Sequence, residues 1–352
     1  MVLLMQGKQL IIVGAGVAGT VTALLMRRRL GDASGKIVVY EASKRYRKPC
    51  GEAVPSWLLK VVEEHGIPLP KILYRLRMHV LDIAGVCKRT IEDVEWVIID
   101  KKSWIEELRR RIEDVIIYQA VSVESVASNT NNIVFDARGP FVRDKALWVW
   151  QSYAECSHND SAVLRVTVNP FGLVWVFPRG KSICNIGGGF VNVKELHKLR
   201  EAVVDEVGKI IDIRTLVSEN YSIIRVPPSN ISVFRGPNIV RLGEAAGLIM
   251  SLGGEGIRAA LLSAIAAASS TSLENEIIYF NRLQYVWKIK NLILQSWLQK
   301  KLFEVVKWLT AEKMCELLKA AREDVLRMWF EGRLGLWEIL FTIPKMVFTA
   351  FS

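Results

Sequence analysis

The chain is poor in the residues that build metal centres and disulfide frameworks. Its 352 residues include four histidines and five cysteines. The histidines show no ligand spacing; Cys50, Cys87, Cys156, Cys184 and Cys315 are odd in number, widely separated and without a C-x-x-C pair. Neither a zinc site nor a disulfide framework is expected, and this cysteine usage fits a reducing, cytoplasmic compartment. Met1 to Val13 lacks the long apolar stretch and cleavage site of a secretory leader, because Gln6, Gly7, Lys8 and Gln9 interrupt it, so this segment is expected to belong to the fold. Internal repeats and low-complexity linkers are missing as well. Lys and Arg outnumber Asp and Glu by 47 to 36, a net charge of +11, but the cations are scattered. Arg27 to Arg29 and Arg109 to Arg111 close helical patterns and do not interleave with aromatics, so no nucleic-acid partner is expected. An anionic membrane surface suits the charge better. Leu334 to Phe351 is nearly apolar, yet Glu338, Pro344 and Lys345 break it too often for a span of about 20 residues. Peripheral contact with the membrane interface and docking on the protein itself both stay open for it.

What the chain does have is 51% hydrophobic residues, enough for a large core, over a length that suits two intertwined domains. Near its start, Leu10-Ile11-Ile12-Val13 runs into Gly14-Ala15-Gly16-Val17-Ala18-Gly19. A helical pattern follows to Leu30, then the apolar Ile37-Val38-Val39-Tyr40 and Glu41. Strand, glycine turn, helix, strand and acid in this order form a dinucleotide-binding unit. Gly14 takes the tight turn, Gly16 lets the backbone approach a pyrophosphate, and Gly19 lets the helix pack close to the sheet. The helix start offers N–H groups to phosphate. Glu41, about 20 residues beyond the last glycine, stands where an acid meets ribose hydroxyls and argues against a 2′-phosphate.

Further along, Ser43 to Glu52 is basic and irregular and should cross the cofactor. Pro55-Ser56-Trp57 opens a short helix, and residues 94–123 read as strand, helix, strand, with Asp100 at the helix start. Ile133 to Gly139 is a strand ending in a polar turn. From Ala146 to Ile186 the pattern turns to alternating, aromatic-rich segments, the mark of an antiparallel sheet. Ile239 to Gly247 returns to a strand with a small-residue turn, and Gly253-Gly254-Glu255-Gly256-Ile257 opens an alanine-rich helix whose N-terminus points at something. From Leu273 onward the composition is helical, with Trp287, Trp297, Trp308, Trp329 and Trp337 among many lysines.

Three of these segments together resemble the flavin-binding signatures of the geranylgeranyl reductase family, within the para-hydroxybenzoate hydroxylase-like group of FAD proteins. They are Gly14-x-Gly16-x-x-Gly19 with Glu41; Lys48-Pro49-Cys50-Gly51-Glu52; and Gly243-Glu244-Ala245-Ala246-Gly247 with Gly254-Glu255-Gly256-Ile257. The resemblance covers roughly residues 8 to 265. Asp100-Lys101 is similar to that group's Asp-Arg, Asp136-Ala137-Arg138-Gly139 to its Asp-Ala-Thr-Gly turn, and Trp175-Val176-Phe177-Pro178 to the reductases' substrate-sheet motif. The chain departs from the pattern at Glu244 for aspartate, Ser251 for proline and Leu173 for tyrosine.

The resemblance implies an α/β fold: a Rossmann-like FAD-binding domain from 1–55, 91–145 and 236–272, an inserted antiparallel β-sheet substrate domain from 56–90 and 146–235, and a helical C-terminal region from 273–352. FAD would be held by Gly14, Gly16, Val17, Ala18, Gly19, Glu41, Ala42, Arg47, Cys50, Gly51, Lys101, Val121, Asp136, Gly139, Gly243, Glu244, Gly247, Gly254, Gly256 and Ile257. Trp175, Phe177 and Pro178 would meet the substrate, with Cys50 and Gly51 as the candidate catalytic positions. The implied reaction saturates isolated C=C bonds of a polyprenyl lipid. Because no second glycine fingerprint is present for NAD(P)H, a transiently docking NAD(P)H or a ferredoxin-like protein is the expected electron donor, and the basic charge and C-terminal segment leave peripheral contact with the inner face of a membrane open. A flavin monooxygenase or halogenase shares every FAD motif, and a non-catalytic FAD- or isoprenoid-binding protein shares the binding residues. Both alternatives stay open at this point.

Overall fold

The computed structural model describes residues 4–46, 48–141, 146–158 and 160–334. Arg47, Trp337 and the rest of the apolar C-terminal segment from position 335 lie outside the described residues.

A six-stranded sheet runs from edge to edge as β16 (Phe234–Arg235), β17 (Ile239–Arg241), β10 (Asn132–Asp136), β2 (Gln9–Val13), β3 (Ile37–Tyr40) and β9 (Ile116–Ile117). Its neighbours are parallel except β16 with β17. The short apolar runs of the sequence are strands covered on both faces, as parallel sheets require. Leu10, Ile12, Ile133 and Phe135 share a core with α1 (Val17–Leu30) and α6 (Ile257–Ser269), whereas Ile11, Val13 and Val134 meet α4 (Val123–Ala127). Register fixes what the sheet presents. Val13 pairs with Tyr40 and Asp136, and Asp136 pairs with Arg241. The residues that follow these strand ends, Gly14, Glu41, Ala137 and Leu242, therefore gather along one edge, where connections leave β2 to either side. Ligands of open α/β sheets bind at such an edge.

The second layer is a seven-stranded sheet, β15 (Ile213–Ile224), β11 (Leu147–Cys156), β14 (Ile183–Phe190), β13 (Phe171–Pro178), β12 (Ser161–Val168), β6 (Met78–Ile83) and β7 (Cys87–Ile91). It is antiparallel apart from β12 with β6. One face packs Trp150, Val174, Val176 and Ile186 against Leu199, Val203 and Val207 of α5 (Leu196–Gly208). Because strand side chains alternate, Leu173, Trp175 and Phe177 point to the other face. That face looks toward the helices α7 (Arg282–Val306), α8 (Ala311–Ala320) and α9 (Glu323–Glu331). A small sheet of β4 (Ala53–Pro55), β8 (Trp96–Ile99) and β5 (Ile72–Leu76), with α2 (Trp57–Glu64) and α3 (Lys101–Arg110), bridges the two layers.

Two expectations need correction. Residues 273–281 are not helical: β18 (Thr271–Glu274) and β19 (Ile277–Asn281) form a hairpin on which β1 (Leu4–Gly7) pairs. Asn275 and Glu276 both take positive φ, 47° and 63°, in the two-residue turn, and this local chemistry overrides the helical composition around it. The cysteines are also paired, Cys87 with Cys315 and Cys156 with Cys184. The first pair is 228 residues apart and is brought together only when α8 lies on the sheet edge, so linear spacing could not reveal it. With it goes the cysteine argument for a reducing compartment. Among the described residues, no helix is long and apolar enough to cross a membrane.

Candidate functional site

A cavity of about 910 Å³ begins at the glycine turn and runs between the seven-stranded sheet and α7 to α9. Of the residues assigned from sequence, Gly14, Gly16, Val17, Ala18, Glu41, Ala42, Cys50, Gly51, Lys101 and Val121 line it. So do Gly139, Glu244, Gly254, Gly256, Ile257, Trp175 and Phe177. The corrections are few. Gly19 packs its backbone on the Gly14 carbonyl, Asp136 is buried beneath Arg138, and Gly243 and Gly247 shape the turn behind Glu244. These four support the wall without lining it. Pro178 ends β13 away from the cavity, and Arg47 lies outside the described residues.

At the first end, Gly14 takes φ +100°, and a Cβ there would strike the Ala137 carbonyl, so β2 and β10 close around a residue without a side chain. Helix α1 starts at Gly16 with no side chain capping its N–H groups, and α6 starts the same way at Gly256. Side chains cap α3, α4, α7 and α8 through Asp100, Ser122, Asn281 and Thr310, whereas α2, α5 and α9 also start without a side-chain cap; what sets α1 and α6 apart is that their first residues line the cavity. Two uncapped helix starts facing one cavity make a cradle for negatively charged groups. A Cβ built on Gly16 would meet nothing within 4 Å, which leaves open backbone for a ligand to approach. The α1 start at the first end of the cavity thus fits the diphosphate of a dinucleotide.

Glu41 stands beside this turn. Its carboxylate accepts from the Ala15 N–H at 2.6 Å and the Ser43 N–H at 3.0 Å, and Arg109 lies 3.1 Å away. Arg109 also donates to the carbonyls of Ala15 and Ser43 at 2.9 Å, tying the glycine turn to the loop after β3. The sequence alone marks Arg109 as a helix-closing cation and not as a site residue. Its signal was its position on the apolar face of α3, in step with Ile105 and Leu108, where a solvated charge does not belong.

Across the cavity, Glu244 accepts from Lys48 Nζ at 2.5 Å and from the Arg225 N–H at 2.8 Å. Arg225, buried, donates to the Glu244 and Ala245 carbonyls at 2.6 and 2.9 Å. The Lys48–Glu244 pair ties the loop before Cys50 to the turn after β17, and both join Gly139 at one wall.

The Cys50 loop separates the two ends. Cys50 carries the one unpaired thiol among the cysteines, and its Sγ accepts from the Glu52 N–H at 3.3 Å. Lys101 is buried beneath it, 5.1 Å from the Tyr46 ring centre. Burial alone would push the Lys101 ammonium down, but the Cys50 thiol and Tyr46 phenol outweigh it and hold the group above its ordinary value. Gly51 lies against the aromatic pair, and a Cβ there would come within 2.7 Å of the Phe177 ring. Trp175 is locked by Nε1 donating to Asn185 Oδ1 at 3.0 Å, while Asn185 Nδ2 donates to the Cys50 carbonyl at 2.8 Å. Glu52, absent from the sequence-based assignment, is buried at φ 61° and meets Arg179 Nε at 3.0 Å. Burial, then the neighbouring Glu52 carboxylate, raises the Tyr153 phenol above its usual range against the pull of Arg179. Beyond this gate the walls are apolar: Leu81, Leu164 and Val166 from the sheet, Phe303 and Leu302 from α7, Leu318 from α8.

No protein-family model matches the chain. It is 31% identical over 112 residues to digeranylgeranylglycerophospholipid reductase 2 of Methanosphaera stadtmanae, an overlap of 32% of this chain and 28% of that relative. The chain therefore matches less than a third of that relative's length. A geranylgeranyl bacteriochlorophyll reductase-like structure from Thermoplasma acidophilum superposes with TM-score 0.68 at 17% identity over 97% of both chains. A flavin-dependent brominase gives 0.66 at 11% identity over 97% of this chain and 98% of its own. A flavoprotein/dehydrogenase from Cytophaga hutchinsonii gives 0.62 at 13%, over 96% of both. At these identities the three structures show the fold: the mixed α/β architecture is shared over nearly the whole chain.

Proposed function

We propose that this protein is an FAD-dependent reductase that saturates isolated C=C bonds of a polyprenyl lipid of the geranylgeranyl type. The observation that carries the reading is the continuity of the cavity: a polar end with two uncapped helix starts opens, past Cys50, Trp175 and Phe177, into an apolar chamber. The partial likeness to an archaeal lipid reductase supports the same substrate class. When bound, the flavin supplies the reducing electrons. The chain's part is to hold and to exclude. The α1 start takes the diphosphate, Glu41 the ribose, and the α6 start the electron-rich edge of the reduced ring. Trp175 and Phe177 hold an alkene against that ring in a dry site, because isolated alkenes are poor electrophiles and depend on orientation. We assign Cys50 to the face of the ring nearest the lipid, where it shapes the approach or assists proton delivery. NAD(P)H or a ferredoxin-like protein is the proposed source of electrons, and the basic surface suits the latter.

The test is anaerobic. Purified protein should show a flavin absorption spectrum. Mixed after dithionite reduction with a geranylgeranyl lipid, it should reoxidise and yield products heavier by two hydrogens per reduced bond. A flavin that ignores the alkene but yields hydroxylated or halogenated product with oxygen would establish the monooxygenase or halogenase reading instead. Bound cofactor with no turnover would make it a binding protein, and a colourless protein that takes up no FAD would defeat the proposal.

A further inference from the structure

Helix α7 is apolar on two opposite sides. With 3.6 residues per turn, Gln299, Leu302, Phe303 and Val306 share the side that walls the cavity. Leu283, Trp287, Trp297 and Val305 fall in one stripe on the other side, and Trp308 extends it just past the helix end. A helix with two apolar sides belongs in an interior, yet this outer stripe is open: Trp287 is 69% exposed, Trp297 49% and Trp308 80%. Lysines accompany the indoles. Lys290 Nζ sits 3.3 Å from the centre of the Trp287 ring and Lys307 Nζ 5.0 Å from that of Trp308. Of the six basic residues from Arg282 to Trp308, Lys290 and Lys301 share the stripe with the indoles, while Lys288 and Lys300 donate to Ser269 and to the Ser229 carbonyl; the one acid, Glu304, lies 3.3 Å from Lys301.

We propose that this outer face of α7 docks on an anionic lipid bilayer. Exposed tryptophans with lysines form the composition of the membrane interface, where the indole sits at headgroup depth and the ammonium meets lipid phosphate. Lysine is depleted in the cores of protein–protein interfaces, which argues against a protein partner or a second copy on the same stripe. The docked helix is also the cavity wall, so membrane and apolar chamber lie one helix diameter apart, roughly 10 Å. The inference does not depend on the flavin reading, and it is tested without turnover.

Full-length protein is floated with vesicles of phosphatidylcholine alone or mixed with phosphatidylglycerol. Strong binding to the mixed vesicles is expected, about tenfold weaker on neutral ones or in high salt. The triple variant Trp287→Ala, Trp297→Ala, Trp308→Ala should stay folded, since Trp287 and Trp308 are mostly exposed and Trp297 is half exposed, and lose at least about tenfold in binding. Lys290→Glu with Lys301→Glu should lose binding to anionic vesicles selectively. As a second readout, bromine-labelled acyl chains should quench wild-type tryptophan emission and leave that of the triple variant unchanged. Wild-type protein that stays unbound, a triple variant that binds equally, or emission untouched by brominated lipid would each overturn the proposal. So would self-association of the wild type that the triple variant abolishes.

Discussion

Two acids near the cavity do different work, and the distances separate them. Glu41 accepts from the turn and from Arg109, so its removal leaves a buried guanidinium without its counter-charge and, on the proposed reading, takes away the acceptor for the ribose. Glu41→Gln keeps the size and removes the charge. It should stay folded and bind FAD about tenfold more weakly or worse, the value of a hydrogen bond to a charged group; a fluorescence titration with wild-type affinity would remove Glu41 from the ligand map. Glu52 is engaged by Arg179 and Asn185, in a backbone conformation that costs a glutamate about 1 kcal/mol or more. Here the charge holds the gate. Glu52→Gln should lower stability by about 1–3 kcal/mol in urea unfolding and slow turnover, because Arg179 loses its counter-charge and Asn185, which holds Trp175, loses a charged acceptor. Unchanged stability and turnover would reduce Glu52 to a passive wall residue.

At the scale of elements, the most consequential tie is the one between α8 and β7. Leu317 and Leu318 of α8 line the apolar chamber, and Cys315 on the same helix is bonded to Cys87 on the sheet edge. Cys315→Ser should lower stability by about 2–4 kcal/mol, the usual worth of a long-range crosslink, with its unfolding midpoint insensitive to reductant at that bond. Thiol titration of the unfolded, unreduced wild type should find Cys50 alone; five reactive thiols would mean that neither bond forms. This tie also shows what a sequence can disclose. The glycine turn, Glu41 and the α6 start were legible because backbone geometry demands particular residues at particular spacings, whereas the Cys50 loop was legible only through its resemblance to the reductase signature. The alternation of Leu173, Trp175 and Phe177 was legible because a sheet has period two. Arg109, Arg179, Asn185 and Arg225 were not: each acts on a carbonyl or carboxylate far away in the chain, and nothing local marks such a partner. The hairpin after α6 was written in Asn275-Glu276 but lost among helix-forming neighbours.

For the whole molecule, the telling group is where the layers meet. His79 on β6 is buried against Trp96 of β8 and Phe330 of α9, with Nε2 donating to the Val94 carbonyl at 2.7 Å. Burial pushes its imidazole down to about 4, opposed only by that carbonyl. A histidine neutral in the fold but ordinary when unfolded takes up protons on unfolding throughout the window between the two values. Its contribution is therefore complete above about pH 6.5 and is lost as pH falls toward 4, amounting to about 3 kcal/mol across that range. Carboxylates titrate in the lower part of the same window, so the wild type alone cannot isolate it. His79→Gln keeps a side-chain amide to donate and removes the titration. Urea unfolding of both proteins at pH 7.5 and 4.5 should show the stability gap between them shift by about 2 kcal/mol toward the variant on acidification. Parallel losses in the two proteins would mean that the junction of sheet, bridge and C-terminal helices already admits a charged imidazole, and that His79 is not sealed between them.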